Sequence, residues 1–168
     1  KSSLVKSDDR IVLAAEDNDK NIWSLNREGI TIFYRKLNKL SRLYMEDAAD
    51  SNTNNVVNII RDQQQHLWII TQKSIFIYNS TLHKPGLYKK IIPGKGSVIQ
   101  NAQYDVSKNC FWLLIAGTKR IACFNIATKQ LSYPIGKTVD EMFGAPVLIS
   151  FFKLDASENI WIAGYAGE

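Results

Sequence analysis

Histidine and cysteine, which often serve as catalytic bases and nucleophiles, are scarce in this sequence. There are two histidines, His66 and His83, and two cysteines, Cys110 and Cys123. Acid–base or nucleophilic catalysis needs a base, a nucleophile or a metal that converge on one point. His83 stands in a loop segment beside Pro85 with no partner visible in the sequence. We therefore expect no catalytic residues in this chain and no cofactor.

One acidic segment partly imitates a calcium-binding loop. Asp17, Asp19 and Asn21 alternate along the chain, and Glu28 stands at the twelfth position of the segment. The sixth position of such a loop needs glycine, but here it is Ile22. A predicted strand runs through the remainder. We expect no metal site.

The two cysteines lie on neighbouring predicted strands. If the hairpin between them turns at residues 117–119, Cys123 faces Leu113 and Cys110 lies about three residues further along. That separation exceeds the Cα spacing of about 6 Å that a disulfide requires. We expect two buried free thiols, which leave the redox compartment open.

Four tryptophans show how the chain is organised, since they recur at intervals of 44 to 49 residues: Trp23, Trp68, Trp112 and Trp161. An aspartate precedes each of them by six or seven residues: Asp17, Asp62, Asp105 and Asp155. A period near 45 residues with strands on both sides is typical of propeller blades.

Short β-branched or aromatic segments between polar turns predict four strands in each repeat, A to D. The predicted strands are 11–16, 22–25, 30–35 and 41–45; 56–61, 66–71, 74–79 and 87–92; 99–104, 111–116, 120–125 and 131–135; then 148–154 and 160–165. We predict an all-β fold, a partial β-propeller of four-stranded antiparallel blades over residues 1–168 with no second domain. About three and a half blades are expected, near 11–45, 56–92, 99–135 and 148–168.

Such a set of blades does not close a ring, which needs at least four and more often six to eight. The sequence begins with Lys1, so we expect a piece of a longer mature chain, whose parent is expected by analogy to have seven blades. Unpaired strands recruit partners, and a second copy of the chain is one expected partner.

The repeated residues have structural interpretations. A tryptophan at one position of every blade is explained by packing between sheets, although its flat face also suits a sugar. The aspartates fall in the A to B turns, where a carboxylate accepts backbone N–H bonds. His66 takes the place of Asn21 and Asn159 in sister repeats and is interpreted as a turn or strand-start residue.

Basic side chains recur in the turns between strands B and C: Arg27, Lys73, Lys119 and Arg120. In a propeller these turns emerge on the same face as the D to A connections. One hypothesis is that this rim binds an anionic group such as a uronate or a sulfate. The alternative is a solvated turn, where lysine is common.

Composition excludes two classes of protein. No apolar run approaches the length of about 18 residues that a membrane helix needs. The net charge of +5 is spread along the chain instead of forming a basic block, so we expect no nucleic-acid binding.

The segments after Trp23 and Trp68, SLNREGITIFY and IITQKSIFIY, resemble the two-component regulator propeller repeat. That repeat has an Asp, a strand with a central Trp, a Gly-rich turn and an apolar strand ending in Tyr. The resemblance covers three full copies and one partial copy. The glycine turn is reduced to Gly29 in the first copy and replaced by residues 72–74 in the second.

The resemblance implies a piece of a periplasmic sensor in a Bacteroidetes hybrid two-component system, a histidine kinase joined to a response regulator. It implies carbohydrate sensing, with polysaccharide breakdown products as ligands and signalling to transcription through the rest of the chain. A stand-alone binding or scaffold propeller remains one alternative. A propeller lyase, a fold relative that uses histidines and a metal near the axis, is the other.

Overall fold

The computed structural model describes residues 13–26, 29–43, 56–91 and 96–166. Three four-stranded antiparallel sheets and one two-stranded sheet follow one another along the chain. The chain forms two compact units, Lys1–Tyr88 and Lys89–Glu168, and each is described by itself.

The first unit begins with sheet 1, whose strands are β1 (Leu13–Glu16), β2 (Ile22–Asn26), β3 (Gly29–Tyr34) and β4 (Lys39–Leu43). The strands pair in chain order, as in a simple meander. A short 3-10 helix, Arg35–Leu37, joins β3 to β4.

Sheet 2 repeats this plan with β5 (Val56–Arg61), β6 (Leu67–Thr71), β7 (Ser74–Asn79) and β8 (Lys84–Lys90). All five residues of β6 are buried, as expected for an inner strand covered on both faces.

The core of the first unit lies between sheets 1 and 2. Sheet 1 contributes the face that carries Trp23, with Leu25, Ile30 and Ile32. Sheet 2 contributes its tryptophan-free face, the side that carries Ile59, Leu67, Ile69 and Phe76 and not Trp68. The period of two along a strand therefore places Trp68 on the other side of sheet 2, away from this core.

The second unit contains sheet 3, built from β9 (Val98–Asp105), β10 (Cys110–Ala116), β11 (Arg120–Asn125) and β12 (Gln130–Ser132). The two-stranded sheet 4 pairs β13 (Val147–Leu154) with β14 (Ile160–Ala166).

The two sheets of the second unit pack face to face in the same way as sheets 1 and 2. The face of sheet 3 that carries Trp112, with Cys110, Leu114 and Ile121, packs against Val147 and Phe152 of sheet 4. In both units the tryptophan face of one sheet thus covers the tryptophan-free face of the next.

A short helix, α1 (Val139–Phe143), precedes sheet 4 and was not predicted. Thr138 and Glu141 form a capping box, in which Thr138 Oγ1 accepts from Glu141 N and Glu141 accepts from Thr138 N. Gly144 ends the helix in the left-handed region, with φ 72°. This connection between β12 and β13 is therefore ordered by its own side chains.

The predicted strands and the all-β fold class are confirmed, with shifts of one to three residues at strand ends. The D strands begin earlier than predicted, at Lys39, Lys84 and Gln130. Lys39 already pairs with Tyr34 and Gln130 with Asn125. The predicted strand starting at residue 11 and the end of 41–45 extend into residues outside those described.

The predicted cysteine register is wrong by one residue. The hairpin closes on the pair Ile115–Arg120, so Cys123 lies opposite Trp112 and not opposite Leu113. Lys119 adopts a left-handed φ of 49° in this turn, which is unusual for lysine and not visible in the sequence. Both thiols are free; Cys110 is buried, whereas Cys123 is only half-buried.

Candidate functional site

The aspartate of the first repeat is a hydrogen-bonding clamp for its hairpin. Asp17 Oδ1 accepts from the backbone N–H groups of Asp19 at 3.0 Å and Asn21 at 2.9 Å. Asp17 Oδ2 accepts from Asn21 Nδ2 at 3.0 Å and from Trp23 Nε1 at 2.9 Å. One carboxylate therefore fixes both the turn and the indole that enters the core.

The second repeat makes the same clamp with histidine in the place of asparagine. Asp62 Oδ1 accepts from His66 N at 2.7 Å, and Asp62 Oδ2 lies 2.9 Å from His66 Nδ1 and 2.8 Å from Trp68 Nε1. The interpretation of His66 as a turn residue is confirmed by these bonds.

The third and fourth repeats retain the bond from the indole to the carboxylate. Asp155 accepts from Asn159 N at 2.8 Å and from Trp161 Nε1 at 2.7 Å. Asp105, whose turn is one residue longer, accepts from Lys108 N at 3.0 Å and from Trp112 Nε1 at 2.9 Å. The spacing of six or seven residues from Asp to Trp is thus one that a single side-chain hydrogen bond can span.

These bonds stabilise the ionised carboxylates. Burial by itself would raise the pKa of Asp105, but hydrogen bonds from Trp112, Lys108 and Ser107 outweigh it and lower the pKa to about 2. Hydrogen bonds from Trp161 and Asn159 lower the pKa of Asp155 to about 2. Both groups stay charged at neutral pH and serve as acceptors.

The calcium-like segment contains the clamp of the first repeat. Both oxygens of Asp17 already accept hydrogen bonds from the hairpin. Glu28 lies outside the described residues. Among the residues that are described, no group of three or more His, Cys, Asp or Glu side chains could hold a metal ion.

Three of the four repeated tryptophan side chains are buried, as packing between sheets predicts. Trp23 is 0% exposed, Trp68 2% and Trp112 8%, whereas Trp161 is 58% exposed. Trp68 also meets the edge of the Tyr88 ring, with centroids 4.8 Å apart. Core packing is observed for the first three, and Trp161 lies on a face that no sheet among the described residues covers.

The turn between β6 and β7 presents Lys73 to solvent. Thr71 Oγ1 accepts from Ser74 N at 2.9 Å and donates to Ser74 O at 3.1 Å, which fixes a tight turn. Lys73 is exposed at its tip, and among the described residues its ammonium makes no ion pair. Arg27, its counterpart in the first repeat, lies outside the described residues.

The turn between β10 and β11 holds its two basic residues differently. Lys119 Nζ lies 2.9 Å from both carboxylate oxygens of Asp140 in α1, and this contact lowers the pKa of Asp140. Lys119 O accepts from Val139 N at 2.8 Å. The exposed guanidinium of Arg120 lies 5.6 Å from the ring centroid of Tyr133. Lys119 is thus neutralised within the fold, whereas Arg120 keeps its donors for solvent or a ligand.

A cleft at the opposite end of the sheets in the first unit was missed by sequence reasoning. It measures about 240 Å³ and is lined by Asp19, Tyr34, Lys36, Tyr78 and His83, among others. Tyr78 packs its ring edge against Trp23, and its hydroxyl lies 3.5 Å from His83 Nδ1. Burial, the hydrogen bond to Tyr34 and nearby carboxylates raise the pKa of Tyr78, so its phenol remains protonated. The cleft offers hydrogen-bond donors and acceptors but no strong base.

Burial raises the pKa of the Cys110 thiol, and the neighbouring Cys123 adds to the effect. A thiol held protonated in this way is a poor nucleophile. Within the residues described, no helix is long and apolar enough to cross a membrane.

No protein-family model matches the sequence, and no curated protein matches it significantly. Solved structures with a similar fold include the extracellular domains of two hybrid two-component systems of B. thetaiotaomicron, BT4673 and BT3049. The first has a TM-score of 0.66 and 14% identity over 90% of this chain and 19% of that chain. The second has a TM-score of 0.64 and 18% identity over 96% of this chain and 22% of the other.

Lyases of streptogramin antibiotics share the fold to a similar degree. Virginiamycin B lyase from Staphylococcus aureus, in a catalytically inactive form with quinupristin, has a TM-score of 0.64 and 12% identity over 95% of this chain and 50% of the enzyme. This chain therefore spans a fifth to a half of the structures that it resembles. The likeness establishes the fold, a partial β-propeller.

Proposed function

We propose that this chain is part of the extracytoplasmic, periplasmic sensor of a hybrid two-component system. The observation that carries the proposal is the fold shared with two such extracellular domains over at least nine-tenths of the chain. In this role the chain binds a ligand or transmits a signal. The kinase and transcription-regulating parts belong to the rest of the sensor chain. The chain itself performs no catalysis.

The proposed ligand is an oligosaccharide released from a polysaccharide, carrying a uronate or a sulfate. Lys73 and Arg120 support this choice, because both stand exposed at the connections between strands B and C and neither forms a salt bridge with a described carboxylate; Arg120 contributes only a longer-range attraction that helps to lower the pKa of Glu141. Arg27 is the third member of this set by its place in the sequence. Lys119 contributes less, since Asp140 already holds its charge.

A titration with matched sugars tests the ligand class. The probes are an oligogalacturonate, a sulfated chondroitin oligosaccharide and a neutral maltooligosaccharide, each titrated calorimetrically into the 168-residue chain. Charge-assisted hydrogen bonds contribute about 1.5–3 kcal/mol, so Lys73→Ala and Arg120→Ala should each weaken binding of an anionic probe roughly tenfold or more.

Lys84→Ala is the matched control, because Lys84 is also exposed but lies at the start of β8, at the other end of the sheet. It should bind as the unchanged chain does. Unchanged affinity in both turn variants would remove the basic turns from the proposal. Absence of binding by every probe would leave the sensor role to be decided by whether the full reading frame encodes a membrane helix and a kinase core.

The propeller lyase is the second candidate, because its fold likeness is nearly as strong. The arrangement of histidines weighs against it. His66 is bound to Asp62, and His83 lies against the rings of Tyr34 and Tyr78 in the same unit. We expect no cleavage when the chain is incubated with quinupristin and followed by mass spectrometry; turnover would favour the enzyme. A free-standing binding propeller would instead be indicated by a reading frame with repeats alone.

A further inference from the structure

The basic turn between β10 and β11 carries an anion site that is filled by a carboxylate of the chain itself. Both oxygens of Asp140 lie 2.9 Å from Lys119 Nζ. Asp140 Oδ1 also accepts from the backbone N–H of Val147 at 3.0 Å. An ammonium and a backbone N–H that converge on one carboxylate are groups that equally suit the carboxylate or sulfate of a ligand. The oxygens of Asp140 therefore stand where those of an external anion would bind.

Helix α1 does not depend on this ion pair for its position. Its first turn is closed by the capping box of Thr138 and Glu141. Val139 is 0% exposed in the core of the second unit, and its N–H donates to Lys119 O at 2.8 Å. The side chains of Lys119 and Asp140 are 32% and 34% exposed, and a salt bridge that water reaches contributes little to stability. Asp140 can therefore leave Lys119 at a small cost while α1 stays in place.

Arg120, the next residue along the chain, is open to a ligand. Its guanidinium lies 5.6 Å from the ring centroid of Tyr133 and forms no salt bridge with a carboxylate in the described part of the chain. It attracts Glu141 only at longer range. A ligand anion can thus bind Arg120 without displacing a protein group. The turn presents two adjacent cations, of which Arg120 is open and Lys119 is occupied.

A carboxylate that belongs to the chain is a strong competitor for Lys119. Its effective concentration is on the order of millimolar or higher, because a short segment of chain tethers it beside the ammonium. A ligand with a single anionic group gains little by replacing it. A ligand whose first anionic group is held by Arg120 brings its second group to Lys119 at a comparable effective concentration. Such a ligand competes with Asp140 on equal terms.

We propose that Asp140 is an internal competitor for Lys119, so that this turn selects ligands with two neighbouring anionic groups. One group binds Arg120, and the other displaces Asp140. The inference rests on the proposed function, whose anionic oligosaccharide it narrows to chains with anionic groups on adjacent units. Displacement exchanges one anion for another at Lys119 Nζ and removes the side-chain acceptor from Val147 N, without any covalent step.

Two variants that remove the same charge test the competitor, by calorimetric titration with an oligogalacturonate. Asp140→Asn keeps an oxygen for Val147 N but no charge for Lys119, so the probe should bind about tenfold more tightly. Glu141→Gln is the matched control, because glutamine also closes a capping box and Glu141 is bonded to Thr138. Its affinity for the probe should change by less than about threefold, as expected for a screened charge.

Hydrogen exchange of the unchanged chain provides a readout that a purely structural ion pair would not move. The amide of Val147 donates to Asp140, so saturating oligogalacturonate should accelerate its exchange. Galacturonate, the single-unit counterpart, should bind more weakly and leave this exchange unchanged. This measurement needs no variant, and it decides alone if Asp140→Asn does not fold by circular dichroism.

The outcomes separate the competitor from the proposed ligand class. Oligogalacturonate that binds the unchanged chain but gains nothing in Asp140→Asn, or gains equally in Glu141→Gln, would overturn the competitor and leave the anionic ligand standing. A gain in Asp140→Asn that survives the addition of Lys119→Ala would also overturn it, since the gain would then arise elsewhere. If neither the unchanged chain nor Asp140→Asn binds the probe, the competitor and the anionic ligand fail together.

Discussion

At the scale of single residues, the molecule depends on a carboxylate that accepts from its own hairpin and from an indole. Asp17 and its counterparts each bind a tryptophan N–H at 2.7 to 2.9 Å. A buried indole needs such a partner, because an unpaired N–H inside the core costs free energy. The tryptophan is therefore held at its polar end and packed along its apolar body.

Replacing a buried indole by phenyl should measure this bond. Trp23→Phe leaves Asp17 without one donor and a small cavity at a site that is 0% exposed. We expect a loss of about 2–4 kcal/mol in the free energy of unfolding, measured with urea. Trp161→Phe removes the same type of bond at a side chain that is 58% exposed, where water replaces it. The loss there should stay below about 1 kcal/mol, and equal losses would refute the argument.

At the scale of elements, each sheet is a meander whose faces are set by the alternation of side chains. Sheet 4 deviates at one point, where the register shifts between Ile149 and Phe151. Gly164 pairs with Ile149 at this bulge, and a Cβ at position 164 would lie 2.7 Å from Leu148 O. Glycine is thus required here by the close approach of the two strands.

Gly164→Ala should accordingly separate β13 from β14. The backbone carbonyl of Leu148 cannot move aside as a flexible side chain would, so we expect a loss of about 1–3 kcal/mol in stability. Gly136→Ala serves as the comparison, because its added Cβ would meet no atom within 4 Å. Hydrogen exchange of the β13 and β14 amides should accelerate in the first variant and not in the second. Equal protection in both would show that the strands can accommodate the methyl group.

At the scale of the whole molecule, stability depends on carboxylates that must stay ionised. The folded-state pKa of Asp105 is about 2, below its usual value of 3.8. Its contribution to the free energy of unfolding is therefore complete above about pH 4. That contribution is lost as the pH falls from about 4 towards 2. The contribution of Asp155 to stability is lost in the same direction, because its pKa is also lowered by hydrogen bonds. Its clamp bonds are exposed to solvent.

Asp105→Asn should flatten this acid dependence. A depression of about two pKa units corresponds to about 2 kcal/mol at a buried carboxylate, which the amide cannot supply. Urea unfolding at a series of pH values should show the variant less stable at pH 7, with the difference shrinking below pH 4. A constant difference down to pH 2 would mean that ionisation of Asp105 contributes nothing to folding.

The sequence predicts the strands well because each is a short apolar segment between polar turns, repeated four times. It does not show that the indoles bind the aspartates, since the spacing alone does not show that each turn brings the carboxylate within reach of the indole. The exposure of Trp161 depends on which faces other sheets cover, and that is not a local property. The cleft beside Tyr78 joins turns about 45 residues apart. The helix α1, in contrast, has a capping box at Thr138 and Glu141 that the sequence displays.

The aspartate clamp has a consequence for how such a chain can evolve. Every bond of the clamp, from Asp17 to Trp23 and in the three later copies, lies inside a single repeat. The Asp105 copy keeps its indole bond although its turn is one residue longer, so small insertions in the turn are tolerated. A gene duplication or deletion of one whole repeat would leave every clamp intact. The number of repeats can therefore drift between lineages while each hairpin keeps the residues that make it fold.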